Sequence, residues 1–167
     1  MILRECTREK HHAAERTPVG AAMAAGDISP QWWADWMGAI AIIHMATDPY
    51  LPECLRRSTR LCHDLAQLGV QPRHIPAAAE YAATLTDPVE REGATYVFTG
   101  AHLMGGAVTH KALGGRLPAT HLEWVSRQEA VCEWKPLRDR EDLVEAADRA
   151  FGAVLAICNT ITQLDNA

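Results

Sequence analysis

The apolar positions of this chain follow a helical spacing, and Pro, Gly and Asp punctuate them at short intervals. After Ser29-Pro30, the positions Trp32, Trp33, Trp36, Ile40, Ile43 and His44 fall on broad apolar faces of one helix, with Ser29 as its N-cap. From Glu141 to Leu164 a second long helix turns Leu143, Ala147, Ala150, Phe151, Val154, Leu155, Cys158 and Ile161 inward. Residues 2–16 read as a first helix. Thr17-Pro18 opens a short one that Gly26-Asp27 ends. Asp48-Pro49 and Leu51-Pro52 interrupt the Trp-rich helix, and a further helix runs from Cys54 to about Leu68 with a break near Ser58. Gly69 to Pro76 is a connection, and Ala77 to Leu85 is helical. Thr86-Asp87-Pro88 then caps a long helix that Gly114-Gly115 stops. Arg116 to Lys135 shows no clear period, and Pro136 marks a boundary. No segment alternates as a strand would. The pattern therefore predicts an all-α chain that forms a single domain over residues 1–167.

Composition sharpens this picture. At 167 residues and 48% hydrophobic content, the chain can bury a real core and is too short for two ordinary domains. A net charge of −5 argues against a general nucleic-acid binder. No apolar run is long enough for a membrane span. The first residues are charged at once (Arg4, Glu5, Arg8, Glu9, Lys10), which is no signal peptide and points to the cytoplasm. The five cysteines are odd in number and lack Cys-x-x-Cys spacing. Reduced, mostly buried thiols are expected, and zinc is not.

Two stretches carry candidate chemistry. Tyr96 to His110, YVFTGAHLMGGAVTH, reads as a buried helix with glycines at 100, 105 and 106. Each glycine disfavours a helix interior by roughly 1 kcal/mol against alanine. The backbone there either kinks or comes close to something flat and bulky; the plainer reading is tight helix packing. The second stretch is Leu3 to Glu15, in which His11 and Glu15 share a helix face. A carboxylate so placed can accept the imidazole N–H that a metal does not use. A single neutral imidazole is an ordinary axial ligand for haem iron.

Together these stretches resemble the haem oxygenase family. The proximal pattern Leu-x-x-x-Thr-x-x-x-His-x-x-x-Glu is matched by Leu3, Thr7, His11 and Glu15. The kinked distal helix of the family carries a Tyr and then a Gly-x-x-x-Gly-Gly segment. Tyr96, Gly105 and Gly106 match it, and Ala101 stands at the first glycine. The resemblance implies a haem-oxygenase-like helical bundle in which haem b is both cofactor and substrate. The ring is opened to biliverdin with release of CO and ferrous iron. Molecular oxygen and an electron-donating reductase of ferredoxin or flavoprotein type are the implied partners, since no flavin or nicotinamide fingerprint is present in this chain.

The resemblance also implies roles. His11 is the iron ligand and Glu15 its orienting partner. Ala101, Gly105 and Gly106 form the ceiling over the porphyrin. Arg4, Tyr96, Lys135 and Arg138 or Arg140 meet the propionates. One position departs: many members have an aspartate where this chain has His102, and that aspartate organises waters that deliver a proton. His102 has three readings. It holds the waters itself; it binds the iron directly, which would give a non-catalytic haem carrier or sensor; or it acts only in packing. His44 is a second candidate distal group, its plainer reading being a core histidine bonded to a carbonyl. A carboxylate-bridged di-iron site on a similar fold is disfavoured, because Glu80, Glu90 and Glu92 lack the Glu-x-x-His pattern.

Overall fold

The computed structural model describes residues 1–166. Helices α1 (Ile2–Cys6) and α2 (Arg8–Glu15) take the place of one continuous first helix. They part at Thr7, whose hydroxyl donates to the Leu3 carbonyl at 2.6 Å and whose ψ of 1° departs from helical values. Helix α3 (Pro18–Ala25) starts as its sequence predicts: the Thr17 side chain accepts from the Gly20 N–H. Helix α4 (Pro30–Thr47) is capped by Ser29, which accepts from the Trp32 N–H. Two 3₁₀ turns, Asp48–Tyr50 and Glu53–Leu55, follow at the two prolines. Helix α5 (Ser58–Leu68) therefore begins at Ser58, and Cys54 lies outside it.

Helix α6 (Pro76–Thr84) leads to α7 (Pro88–Ala94), capped by the Asp87 carboxylate on the Val89 N–H. The long distal helix is not uniform. After α7 it widens into two π-helical stretches, Thr95–Thr99 and Ala101–Gly105, before α8 (Gly106–Leu113) resumes the ordinary pitch. Gly114, in left-handed conformation at φ 57°, ends it. The weakly patterned stretch folds into a 3₁₀ turn at Thr120–Leu122 and helix α9 (Arg127–Trp134). Lys135–Asp139 and Glu141–Leu143 are 3₁₀, and α10 (Val144–Leu164) closes the described chain. No described residue is in a strand.

The core lies around α4 and α10. Trp33, Met37, Ile40, Ile43, Leu61, Ile157 and Ile161 are fully buried there. On α10 the inward face also takes Ala146, Ala153 and Ile157, while Val154 and Leu155 are only half buried. In the weakly patterned stretch Leu122 is buried and Trp124 partly so, while Val125 is 92% exposed. The thiols also depart from expectation. Cys6, Cys62 and Cys132 are exposed and only Cys158 is fully buried, because the first three sit on the outer faces of α1, α5 and α9. No helix among the described residues is long and apolar enough to cross a membrane.

Candidate haem pocket

Helix α2 lies on α10 and presents His11 outward. The ring edge of His11 rests on Phe151 of α10, with centroids 5.7 Å apart and planes at 79°. Its Nδ1 faces Glu15 Oε1 at 3.7 Å, longer than a hydrogen bond, and both side chains are more than half exposed. The i, i+4 spacing thus produces the expected pairing in a loose form. With Nδ1 turned toward the carboxylate, Nε2 is the nitrogen left for a ligand. Next to Phe151, a Cβ added at Gly152 would meet nothing within 4 Å, so the α10 wall beside His11 borders open space.

The three glycines of the distal helix face three different surroundings. A Cβ at Gly100 would come 2.7 Å from the Trp134 ring, so that glycine serves close packing. Gly106 is buried, and its Cβ would rest in ordinary contact on Leu122 at 3.4 Å. A Cβ at Gly105 would meet nothing within 4 Å. Gly105 shares an exposed surface with Ala101, Met104 and Val108, the last two 55% and 65% exposed. Apolar side chains of that size gathered on one face mark a surface with something to cover. Helix α2 does not itself pack on Ala101–Gly105. Instead α3 packs against both α2 and α8, and α10 packs against both α2 and Thr95–Thr99, so the two walls stand in one frame.

At one end of that frame the predicted rim residues gather. Tyr96 is buried and stacks on Trp134 at 5.4 Å with planes 6° apart, and the indole N–H donates to the Tyr96 carbonyl at 3.1 Å. Burial pushes the Tyr96 hydroxyl pKa up, while the nearby Thr7 side chain and the charges of Arg138 and Arg4 draw it back. Arg4, Thr7, Tyr96 and Arg138 are therefore neighbours, brought together where α1 packs on Lys135–Asp139. Arg138 also reaches the Met1 sulfur. Lys135 is exposed at the start of the same segment. Arg140 is committed elsewhere: it pairs with Asp142 at 2.6 Å and Glu92 at 3.1 Å, which raise its pKa further.

His102 turns inward. It is 6% exposed, stacks on His44 of α4 at 5.1 Å and 23°, and meets His121 edge-on at 5.3 Å and 66°. Its ring lies between two others, with Nδ1 sealed from solvent and Nε2 not. Burial, with the charge of Arg57 nearby, pushes its pKa well below the ordinary histidine value. His44 departs from the expected carbonyl-bonded role: neither of its ring nitrogens has a hydrogen-bond partner, and Nδ1 stands 3.6 Å from Asp48. His121 Nδ1 lies 2.6 Å from Asp64, which also accepts from the His121 N–H at 2.8 Å and the Thr120 hydroxyl at 2.7 Å. These bonds outweigh burial and bring Asp64 down to about 2. The Arg57 guanidinium donates to the carbonyls of His121 and Glu123 and lies 3.8 Å over Trp124.

His121, Asp64, Asp48 and Arg57 were not singled out by the sequence. Asp64 comes from α5, Arg57 from the residue before it, and Asp48 and His121 from two separate 3₁₀ turns, so no local spacing links the four. Among the described residues, no three His, Cys, Asp or Glu side chains are arranged to hold a bare metal ion. A separate cavity of about 290 Å³, lined by Tyr50, Leu55, Arg91, Glu92, Glu133 and Leu137 among others, contains no imidazole.

No protein-family model and no curated protein sequence matches this chain. Its structure is similar to that of haem oxygenase from Leptospira interrogans, with a TM-score of 0.81 and 17% identity over 95% of this chain and 97% of that one. It is also similar to haem oxygenase-1 from the cyanobacterium Synechocystis sp. PCC6803 in complex with haem, with a TM-score of 0.80 and 16% identity over 98% and 94% of the two chains. Nearly the whole length of each chain is covered, so the fold of this protein is the haem oxygenase fold.

Proposed function

We propose that this protein binds haem between α2 and the Ala101–Gly105 stretch and opens it oxidatively to biliverdin, CO and ferrous iron. The observation that carries the reading is the open surface at Gly105 in a chain of the haem oxygenase fold that also exposes His11 with a carboxylate beside it. Residues present fit the group. His11 Nε2 is free to ligate, Gly105 and Ala101 put bare main chain against a flat face, and Arg4, Tyr96 and Arg138 form a cationic, hydroxyl-bearing end suited to carboxylates. Lys135 would add charge at that end. Bound haem would supply both the oxygen-activating iron and the ring that is opened. The protein's part is to hold the ring, crowd one face and manage protons. Electrons would come from a separate reductase.

The alternative, a haem carrier or sensor without turnover, rests on His102 in the place of an aspartate. One experiment separates the two. Hemin is titrated into the purified protein, then ascorbate and oxygen are added. Saturation at one equivalent followed by loss of the Soret band and a bilin spectrum is expected. A stable Soret band supports the carrier, and no saturable binding removes both.

A further inference from the structure

The buried histidine cluster on the inner side of the distal helix has no assigned work. Four ring nitrogens, Nδ1 and Nε2 of His44, Nδ1 of His102 and Nε2 of His121, are sealed from solvent without a partner. A cluster that served packing alone would do so at lower cost with apolar rings, since buried polar atoms are normally bonded. The roles can be assigned in order. Asp64 is buried and ionised, so His121 Nδ1 must carry the proton that bridges the 2.6 Å contact. His121 Nε2 is then a lone pair in search of a donor. His102, edge-on to His121, has one enclosed nitrogen in search of a partner, Nδ1; its Nε2 is not sealed in. Pairing the two, directly or through one water, satisfies both at once.

We propose that Asp64 and His121 are positioning residues that fix His102 as its Nδ1–H tautomer, leaving its Nε2 as a hydrogen-bond acceptor for water at the Ala101–Gly105 stretch. This rests on the reading of that stretch as the ceiling of the haem pocket. A proton taken up at His102 Nε2 releases the Nδ1 proton to His121 Nε2, and the resulting imidazolium is paired with the Asp64 carboxylate. Running the exchange backward returns one proton to the water, and no electron moves. His44 stacks on the other face of His102 and limits its rotation, with Asp48 behind it. Burial keeps His102 and His121 neutral at rest, and the fixed charge of Arg57 nearby acts in the same direction. Exposed His63, with Nδ1 3.8 Å from Asp64 Oδ1, is the titratable group nearest the outer end.

The test begins without haem. Two-bond proton–nitrogen spectra of the ¹⁵N-histidine-labelled protein at neutral pH report each tautomer. His121 and His102 are both expected as Nδ1–H. In His121→Phe, His102 should move to the Nε2–H form that free imidazole prefers. His102 found as Nε2–H in the parent, or unmoved in His121→Phe, overturns the proposal. If His121→Phe does not fold, the parent spectra and the isosteric Asp64→Asn still decide. With haem, Asp64→Asn should lower turnover by about tenfold while Kd for haem stays within about twofold; unchanged turnover counts against the chain of action. Expected tautomers in a protein that never binds hemin would uphold the imidazole chain and defeat the haem reading instead.

Discussion

His11 and His102 are both helical histidines, and their surroundings are opposite. His11 stands in the open against one aromatic edge, and a carboxylate lies near one nitrogen. His102 is enclosed by two other imidazoles. Replacement of His11 by Ala should abolish the parent ferric Soret and ferrous–CO spectra; a parent-like spectrum in that variant contradicts the ligand assignment. The depressed pKa of His102 also predicts a direction of acid sensitivity. Below its ordinary value near 6.5, the unfolded chain holds a proton on this residue that the folded chain rejects. Stability is therefore fully present above pH 6.5 and is lost as pH falls below it. His121 shifts the same way. Melting temperatures of the apo-protein should decline from about pH 6.5 toward 5, and less steeply in His102→Phe. Equal slopes in the two proteins would refute the link.

At the scale of elements, the distal helix carries the argument. Its glycines looked alike in sequence, and only their neighbours separate them. Gly100 abuts the Trp134 ring, and Gly105 abuts nothing. Gly100→Leu should therefore destabilise the apo-protein by overpacking, by about 1–3 kcal/mol or more. Gly105→Leu should leave apo stability nearly unchanged, apart from any gain in helix propensity, and should weaken or tilt bound haem. Denaturant melts and hemin titrations on both variants check the contrast, and equal haem affinity in Gly105→Leu would argue against this placement of the ceiling. The two π-helical stretches flank Gly100 and widen the backbone where Tyr96, Ala101 and His102 must point in three directions. No single spacing rule could have predicted that, because the widened turn changes which residues share a face.

Across the whole molecule, an ion pair with a buried carboxylate ties the start of α4 to the connection before α6 and to the end of α10. Asp35 on α4 is fully buried, accepts from the Arg73 backbone N–H at 2.7 Å and pairs with its guanidinium at 2.6 Å. Arg73 extends to Asp165 at the end of α10, also at 2.6 Å, and Asp165 accepts from the Trp32 indole. Asp35→Ala would leave the Arg73 guanidinium and its part-buried backbone N–H without their main partner, at a cost of about 2 kcal/mol in urea unfolding. A change below about 1 kcal/mol would show the network to be surface decoration. Hemin itself should stabilise the fold by about 2.7 kcal/mol at a hundredfold excess over Kd, read as a rise in melting temperature.

Local information settled a good deal. Ser29, Asp87 and Thr17 as caps, Gly114 as a stop, and the helical period of α4 and α10 depend on neighbours within one or two turns, so they are legible in the chain itself. The His11–Glu15 pairing is legible for the same reason. The split at Thr7, the π-helical widening, the exposed Val125 and three exposed thiols depended on which elements pack on which, and no short window contains that. The union of His44, His102, His121 and Asp64 is the strongest case. Those residues are far apart along the chain and share no motif, and only the approach of α4, α5, the distal helix and the Thr120–Leu122 turn sets His102 5.1 Å from His44 and 5.3 Å from His121, with Asp64 2.6 Å from His121. Helix signals act over a few residues of chain, whereas burial and hydrogen-bond partnership are set by distance in space, and only the folded packing supplies those distances.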